Sequence, residues 1–390
     1  MSIVIFGDIF SFPEGDAATN RVHTYAKGFN ENGIKVHVIC FESKYNSAGD
    51  GQLNGINFYH PFGQVSRNKY FVIRRYQKLL KYFKAIKLFK KISSDDRIIA
   101  INICTNLVLT HLFAWFLAKL FNSKLIIEGN EHPLRHFQNS ALDKKLGTLK
   151  FYFESYLCDG IFCISHYLMD FYKSKGVDNR KLFLVPSTVD PVRFSGIRKN
   201  PNPKPYIGYF GSLTFKRDNV DMLIRAFAQI SSKHSEIQLV LGGFCSESER
   251  KQITELIAEL NIQSKVQLLG YLKREEIIAY VSNAFILVMV RSNNLESMAS
   301  YPSKLSEYLA SSKPVITVNV GEIPLYLSDG VNAFMVEPGN AEALAYKLDY
   351  VISNYELAQK VGHNGKELTN TIFNYNFQAK RMLEYIASLN

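Results

Sequence analysis

Acidic residues are missing from one long stretch of this chain: Arg67, Lys69, Arg74, Arg75, Lys78, Lys81, Lys84, Lys87, Lys90 and Lys91 follow one another with no Asp or Glu between them. That stretch nearly accounts for the formal net charge of +11. Cysteine is scarce too. The five (Cys40, Cys104, Cys158, Cys163, Cys245) lie mostly on apolar runs, without metal-type pairing or an even framework, which excludes a disulfide scaffold and points to a reducing compartment, by default the cytoplasm. No basic region precedes Ile3 to Phe6, and Asp8 soon interrupts that apolar run, so the start reads as a first strand and not as a signal peptide. The one candidate membrane span, Ile98 to Ala118, lacks formal charge but contains Asn102, Thr105, Asn106, Thr110 and His111, which are costly in hydrocarbon. A strand from Arg97 to Asn102 followed by a helix from Leu107 to Phe121 fits better. Short-period repeats and low-complexity tracts are also absent.

What is present is the composition of a soluble globular protein, 47% hydrophobic and 21% charged over 390 residues, a length that favours at least two domains. Short apolar runs alternate with helical patterns. Ser2 to Phe6, Lys35 to Phe41, Arg97 to Asn102, Lys124 to Glu128, Gly160 to Ile164 and Lys181 to Val185 read as strands, and the alternation resumes at Tyr206 to Phe210, Ile237 to Leu241, Val266 to Leu269, Phe285 to Val290, Val315 to Val318 and Ala333 to Val336. Two parallel α/β domains are therefore expected. Between them, Pro186, Pro191, Pro201, Pro203 and Pro205 mark an extended connector. The expected division is 1–188, a linker at 189–205, a second domain at 206–372, and a C-terminal helix within 373–390 that packs back on the first domain.

The segment Tyr301 to Pro314 is the most informative. Ser303 after Pro302 is a candidate helix cap, and the positive end of the helix favours an anion, to which Lys304 adds a full charge. Glu307 lies one turn on, where a carboxylate can accept hydrogen bonds from both hydroxyls of a ribose. An ordinary solvated ion pair is the competing reading, but Lys313-Pro314 and the apolar run Val315 to Val318 place the helix in a strand-helix-strand unit, at whose edges ligands bind. The turns Asp8 to Asn20, with Gly15 and Asp16, and Gly208 to Ser212, with Gly211, carry small residues that let backbone approach a phosphate, although neither spells a dinucleotide fingerprint.

Within the basic stretch, Tyr76, Leu79, Leu80, Phe83 and Ile86 gather on one side of a helical wheel, while Arg74, Lys78 and Lys81 point the other way. Three readings compete: a solvated helix packed on its own domain, a surface for anionic lipid that includes Arg74, Arg75, Lys78 and Lys81, and a nucleic-acid patch. No nucleic-acid fold signature accompanies it, so no nucleic-acid partner is expected.

Taken in order, Gly15-Asp16-Ala17-Ala18-Thr19-Asn20-Arg21, Glu128-Gly129-Asn130-Glu131-His132-Pro133, Val185-Pro186-Ser187-Thr188-Val189-Asp190, Gly208 to Ala226, and Pro302-Ser303-Lys304-Leu305 through Glu307 resemble the retaining glycosyltransferases of family 4. The likeness covers nearly the whole chain. It implies the GT-B architecture, two facing Rossmann-like domains with a cleft between them. It also implies a nucleoside-diphosphate sugar as donor substrate on the second domain and an acceptor on the first, with no cofactor and no metal. By this resemblance Gly211, Ser212, Lys216, Arg217, Ser303, Lys304, Leu305 and Glu307 bind the donor. Lys304 with Lys216 or Arg217 stabilises the leaving diphosphate, Glu131 or His132 serves at the reacting sugar, and Gly15, Asp16, Asn20 and Arg21 line the acceptor side. His132 and His136 have helical metal spacing but no acidic third ligand nearby in sequence. The chain departs from the family pattern where the first acid of Glu-x7-Glu is replaced by Ala299, with Glu296 or the backbone of Ser300 to Ser303 as substitutes, and where Ser212 replaces an arginine. The expected activity is sugar transfer to a glycan, polyprenol-linked, at the inner face of a membrane. The rivals are a GT-B sugar-nucleotide epimerase and a non-catalytic relative.

Overall fold

The computed structural model describes residues 1–15, 17–45, 49–134, 140–196 and 198–389. The chain forms two compact units: unit 1 comprises 1–188 and 375–390, and unit 2 comprises 189–374. Residues 189–205 thus belong to unit 2, where a short 3-10 helix, Pro191–Phe194, buries Pro191 and Phe194. Its Asp190 side chain accepts from the Val192 amide, so local capping and two apolar anchors order a stretch whose prolines suggested an extended connector.

Unit 1 runs β1 (Ser2–Gly7), α1 (Ala17–Glu31), β2 (Lys35–Cys40), β3 (Gly51–Leu53), β4 (Ile56–Tyr59), α2 (Phe71–Asp95), β5 (Ile98–Cys104), α3 (Val108–Leu120), β6 (Lys124–Gly129), α4 (Ala141–Leu157), β7 (Gly160–Cys163), α5 (His166–Ser174) and β8 (Leu182–Leu184). The strands form one sheet in the order β3-β4-β2-β1-β5-β6-β7-β8, parallel except for β3 against β4. Helices cover both faces, which is why β1 is buried along its whole length and reads as an unbroken apolar run. Right-handed crossovers put the helix of a leftward step on one face and those of rightward steps on the other. Val22, Tyr25, Ala26 and Phe29 of α1 accordingly pack on Ile3, Ile5, Val36 and Val38, while Ala85, Phe89 and Ile92 of α2 and Ala114, Leu117 and Ala118 of α3 pack on Val4, Phe6, Ile101 and Ile103.

Unit 2 runs β9 (Tyr206–Phe210), α6 (Val220–Ile230), β10 (Gln238–Gly242), α7 (Glu247–Glu259), β11 (Val266–Gly270), α8 (Arg274–Asn283), β12 (Ile286–Met289), α9 (Leu295–Ala299), α10 (Ser303–Ala310), β13 (Val315–Val318), α11 (Ile323–Tyr326), β14 (Phe334–Val336), α12 (Ala341–Ser353) and α13 (Tyr355–Asn370). Its six strands are all parallel, in the order β11-β10-β9-β12-β13-β14. The last helix, α14 (Tyr375–Ser388), returns to unit 1 and adds Ala379, Met382, Tyr385 and Ile386 to the α1 side of its core. Among the described residues no helix is long and apolar enough to cross a membrane. The uncharged run from Ile98 to Ala118 divides into β5 and α3.

Candidate functional site

In unit 2 the C-terminal end of β9 and the N-terminal end of α10 meet at Lys304. Its ammonium donates to the Tyr209 hydroxyl at 2.8 Å, lies 4.5 Å from that ring's centroid and 3.7 Å from Asp218 Oδ1. Burial, the largest influence, drives its pKa down to about 8. Asp218 opposes the shift, and Arg291 and Arg217 add to it. Gly211 makes the close approach possible, since a Cβ there would run into Lys304 Nζ. Tyr308, one turn along α10, locks the same strand end by accepting from the Phe210 amide at 2.7 Å.

Arg217 crosses the opening. Its guanidinium donates to Ser212 Oγ at 3.0 Å and to Asp218 Oδ2 at 3.3 Å, and Thr214 Oγ1 donates to the same carboxylate oxygen at 2.8 Å. Lys216, the other candidate left open by the sequence, is exposed, and its carbonyl accepts from Ser292 Oγ. The geometry thus brings Arg217, not Lys216, into the Lys304 cluster. Ser303 is not the cap of α10: Pro302 holds that position and no side chain caps the helix. Ser303 is the first residue of the helix proper. The cap fails because a proline already supplies the extended backbone, leaving the first-turn amides of Ser303 and Lys304 at that end; Leu305 itself is buried, its amide bonded to the Pro302 carbonyl at 3.0 Å.

A third cation was not foreseen. Arg291, two residues past the end of β12, donates from Nη2 to Ser300 Oγ at 3.1 Å, while Nη1 is buried without a hydrogen-bond partner among the described residues. Burial lowers its pKa against the pull of Asp218. The position at a strand's C-terminal end was the available signal. Ala299, where the family pattern has an acid, is fully buried; Ser300 Oγ donates to the Glu296 carbonyl at 2.6 Å, and the Glu296 carboxylate acts on Arg291 through its charge.

Glu307 lies one turn further along α10, toward the 3-10 helix. Its carboxylate is 3.6 Å from Arg193 on the 3-10 helix. Burial raises its pKa while Arg193, Arg274 and Lys304 hold it down. Arg274, at the start of α8, is itself pushed down to about 10 by burial and by Arg193. Neither arginine figured in the sequence reading, because both come from segments distant along the chain.

In unit 1 the assignments fare differently. Asp16 and His136 lie outside the described residues, as do 46–48. Gly15 is exposed in the loop before α1, and a Cβ there would collide with Thr19 Oγ1. Asn20 and Arg21 lie within α1 and not in a loop. Arg21 is buried, and it donates to Glu128 Oε1 at 2.7 Å and to the carbonyls of Val185 and Pro186 at 3.0 and 3.3 Å. Its donors are spent on strand ends, which corrects its assignment to an acceptor loop. His132 is buried against Phe171 at 4.4 Å, and its Nδ1 accepts from the Leu134 amide. Burial and Lys175 lower its pKa, and an Nδ1 that accepts from the Leu134 amide leaves the ring hydrogen on Nε2. Glu131 is exposed beside it.

The lipid-surface assignment needs one correction and gains one observation. Lys81 is buried: its ammonium donates to the Phe41 carbonyl at 2.8 Å and to Ser43 Oγ at 3.0 Å, and sits 4.0 Å over the Phe41 ring. The buried stripe of α2 is Lys81, Ala85, Phe89 and Ile92. Of the apolar side of the wheel, Tyr76, Leu79 and Phe83 are exposed, while Leu80 is half-buried and Ile86 packs on the core. Arg74 is held by the carbonyls of Asn68 and Lys69, and Arg75 and Lys78 are exposed.

The family model for glycosyltransferase family 4 matches residues 18–193, and that for glycosyl transferases group 1 matches 193–368. Together the two models span 18–368, and the chain is a family 4-like glycosyltransferase of the GT-B type. An uncharacterized glycosyltransferase of Methanocaldococcus jannaschii, MJ1178, is 28% identical over 64% of this chain and 66% of its own length. The capsular polysaccharide biosynthesis glycosyltransferase CapM of Staphylococcus aureus is 27% identical over 41% and 40%. The chain therefore spans less than two thirds of the length of these curated relatives. Over all of both chains, HepE of Anabaena, solved in complex with UDP-glucose, superposes with a TM-score of 0.71 at 14% identity. Two parallel-sheet α/β domains of the GT-B type are common to this glycosyltransferase and HepE.

Proposed function

We propose that the chain transfers a sugar, a hexose in the simplest case, from a nucleoside-diphosphate donor to a glycan acceptor with retention of anomeric configuration. One observation carries the reading: three cations, Lys304, Arg217 and Arg291, gather around the carboxylate of Asp218 near the N-terminus of α10. Lys304 and Arg291 are largely enclosed while Arg217 is exposed at the opening; enclosed positive charge in excess of its acid is an expensive arrangement unless an anion completes it, and a diphosphate fits the spacing of a lysine, an arginine fork and helix amides. Glu307, one turn further along α10, is the acceptor for ribose hydroxyls. On leaving, the diphosphate gains charge, and preorganised cations hold that charge more strongly than they hold the intact donor. This makes the chemistry metal-independent in the proposed mechanism. The departing phosphate oxygen takes the proton of the acceptor hydroxyl on the same face, while the Nε2–H of His132 or the exposed Glu131 positions the reacting groups.

The UDP-sugar bound by HepE and the capsular role in the name of CapM support a nucleotide-sugar donor and a surface polysaccharide product. A polyprenol-linked acceptor, met by a cytoplasmic enzyme at the membrane face, accords with the outward-facing apolar and basic side of α2. The test is release of nucleoside diphosphate in the presence of chelator, with and without a lipid-linked glycan, and the anomeric configuration of the product by NMR. Acceptor-dependent release with a retained anomer is expected. Isomerisation of the donor sugar without acceptor, with the diphosphate still attached, would establish the epimerase instead.

A further inference from the structure

In unit 1, three helices on the same face of the sheet turn apolar side chains outward. The first ten residues of α2 bury none of their side chains, and Val72 is 75% exposed, with Tyr76, Leu79 and Phe83 following at helical spacing. α3 exposes Leu109, at 62%, with Phe116 and Leu120. α4 buries Gly147, Phe151 and Ser155 and exposes Leu142, at 66%, with Leu146 and Leu149 on the other side. These helices stand side by side. Tyr82 of α2 meets Phe113 of α3 at 4.8 Å between ring centroids, and Lys150 of α4 donates to the Asn106 carbonyl just before α3 at 2.7 Å.

The helices also run in the same direction. Each precedes a strand of one parallel sheet, so their N-terminal halves share the edge where the strands end, the edge from which the loop carrying Glu131 and His132 departs. A solvent-facing apolar surface of this breadth marks a partner. Its charge names the partner: Arg75, Lys84 and Lys87 of α2 and Lys145 of α4 are exposed beside these apolar side chains, with no acid in α2 before Asp95, none in α3, and Asp143 in the first turn of α4. A second copy of the chain would set these cations against their own kind. An anionic lipid headgroup layer over hydrocarbon satisfies both features.

We propose that α2, α3 and α4 together form a membrane-embedding platform, in which leucines and aromatics enter the interface of an anionic bilayer and the flanking cations hold its headgroups. This rests on the proposed lipid-linked acceptor and deepens it, because the platform sets the strand-end loops of unit 1 against the membrane.

The experiment is co-sedimentation of the full chain with vesicles of phosphatidylcholine containing phosphatidylglycerol, at low and high salt, beside vesicles of phosphatidylcholine alone. Two variants separate the components: R75Q/K84Q/K87Q in α2, and L142Q/L146Q/L149Q in α4, which removes no cation. Wild type is expected to bind the anionic vesicles and to keep part of that binding at high salt, and the α4 variant to weaken it about tenfold or more at both salt levels. Circular dichroism and thermal shift by UDP, GDP and ADP check that each variant is folded with its donor site intact. Binding of the α4 variant equal to wild type overturns the platform, as does failure of wild type to bind, or a wild-type dimer in analytical ultracentrifugation that this variant converts to monomer. Vesicle binding without any nucleotide shift would leave the platform standing and remove the donor site; the reverse pattern would do the opposite.

Discussion

Burial holds the Lys304 ammonium at about 8, so its charge, and with it the attraction for a diphosphate, depends on pH in an ordinary range. An anion binds the protonated form. Affinity for a nucleoside diphosphate is therefore expected to be level below pH 8 and to fall above it, until the higher pKa of the complex is reached. Calorimetric titration from pH 7 to pH 9.5 checks this, and K304R, whose charge persists, is expected to flatten the profile. The orphaned Nη1 of Arg291 makes a second prediction. R291M should weaken diphosphate binding about tenfold or more, while R291K recovers part of it, because a charge-assisted hydrogen bond contributes about 2 kcal/mol. Kinetics on the two variants would show a larger fall in kcat than rise in KM if the arginine acts on the leaving group. G211A is expected to displace Lys304 and mimic its loss in the same titration, without unfolding the chain.

Among the elements, α1 shows how a charged side chain can look functional in sequence and prove structural. Arg21 joins α1 to the ends of β6 and β8 through Glu128 and two carbonyls, and R21A would leave the Glu128 carboxylate buried without its cation. A loss of about 3 to 5 kcal/mol in urea unfolding is expected, with nucleotide binding unchanged under native conditions. The α9–α10 corner allows the converse test. Ala299 is enclosed, so A299E, which restores the family's acid, is expected to destabilise unit 2 by at least ~2 kcal/mol, read as a lower melting temperature, and not to improve turnover. Strands were legible because sheets covered on both faces give continuous apolar runs, as at Val315–Val318. The β3–β4 hairpin escaped notice because its strands have three and four residues and little alternation. The helical wheel of α2 misplaced Lys81 for a different reason: periodicity finds an apolar side, but only packing decides whether that side meets the core.

For the whole molecule, the order of motifs along the chain carried the GT-B architecture and the place of Lys304 beside the C-terminal end of a strand, since topology sets which segments meet at that edge. Arg193, Arg274 and Arg291 were not legible, because their convergence on α10 depends on three-dimensional register between segments up to roughly a hundred residues apart in sequence. The account rests on the donor diphosphate being held by the Lys304, Arg217 and Arg291 cluster. Isothermal titration of UDP, GDP and ADP into wild type and K304A tests it most directly. The predicted result is that at least one of them binds wild type and that K304A loses about 2 kcal/mol, some thirtyfold, of that affinity. Absence of binding by every nucleotide to wild type, or equal binding by K304A, would contradict it.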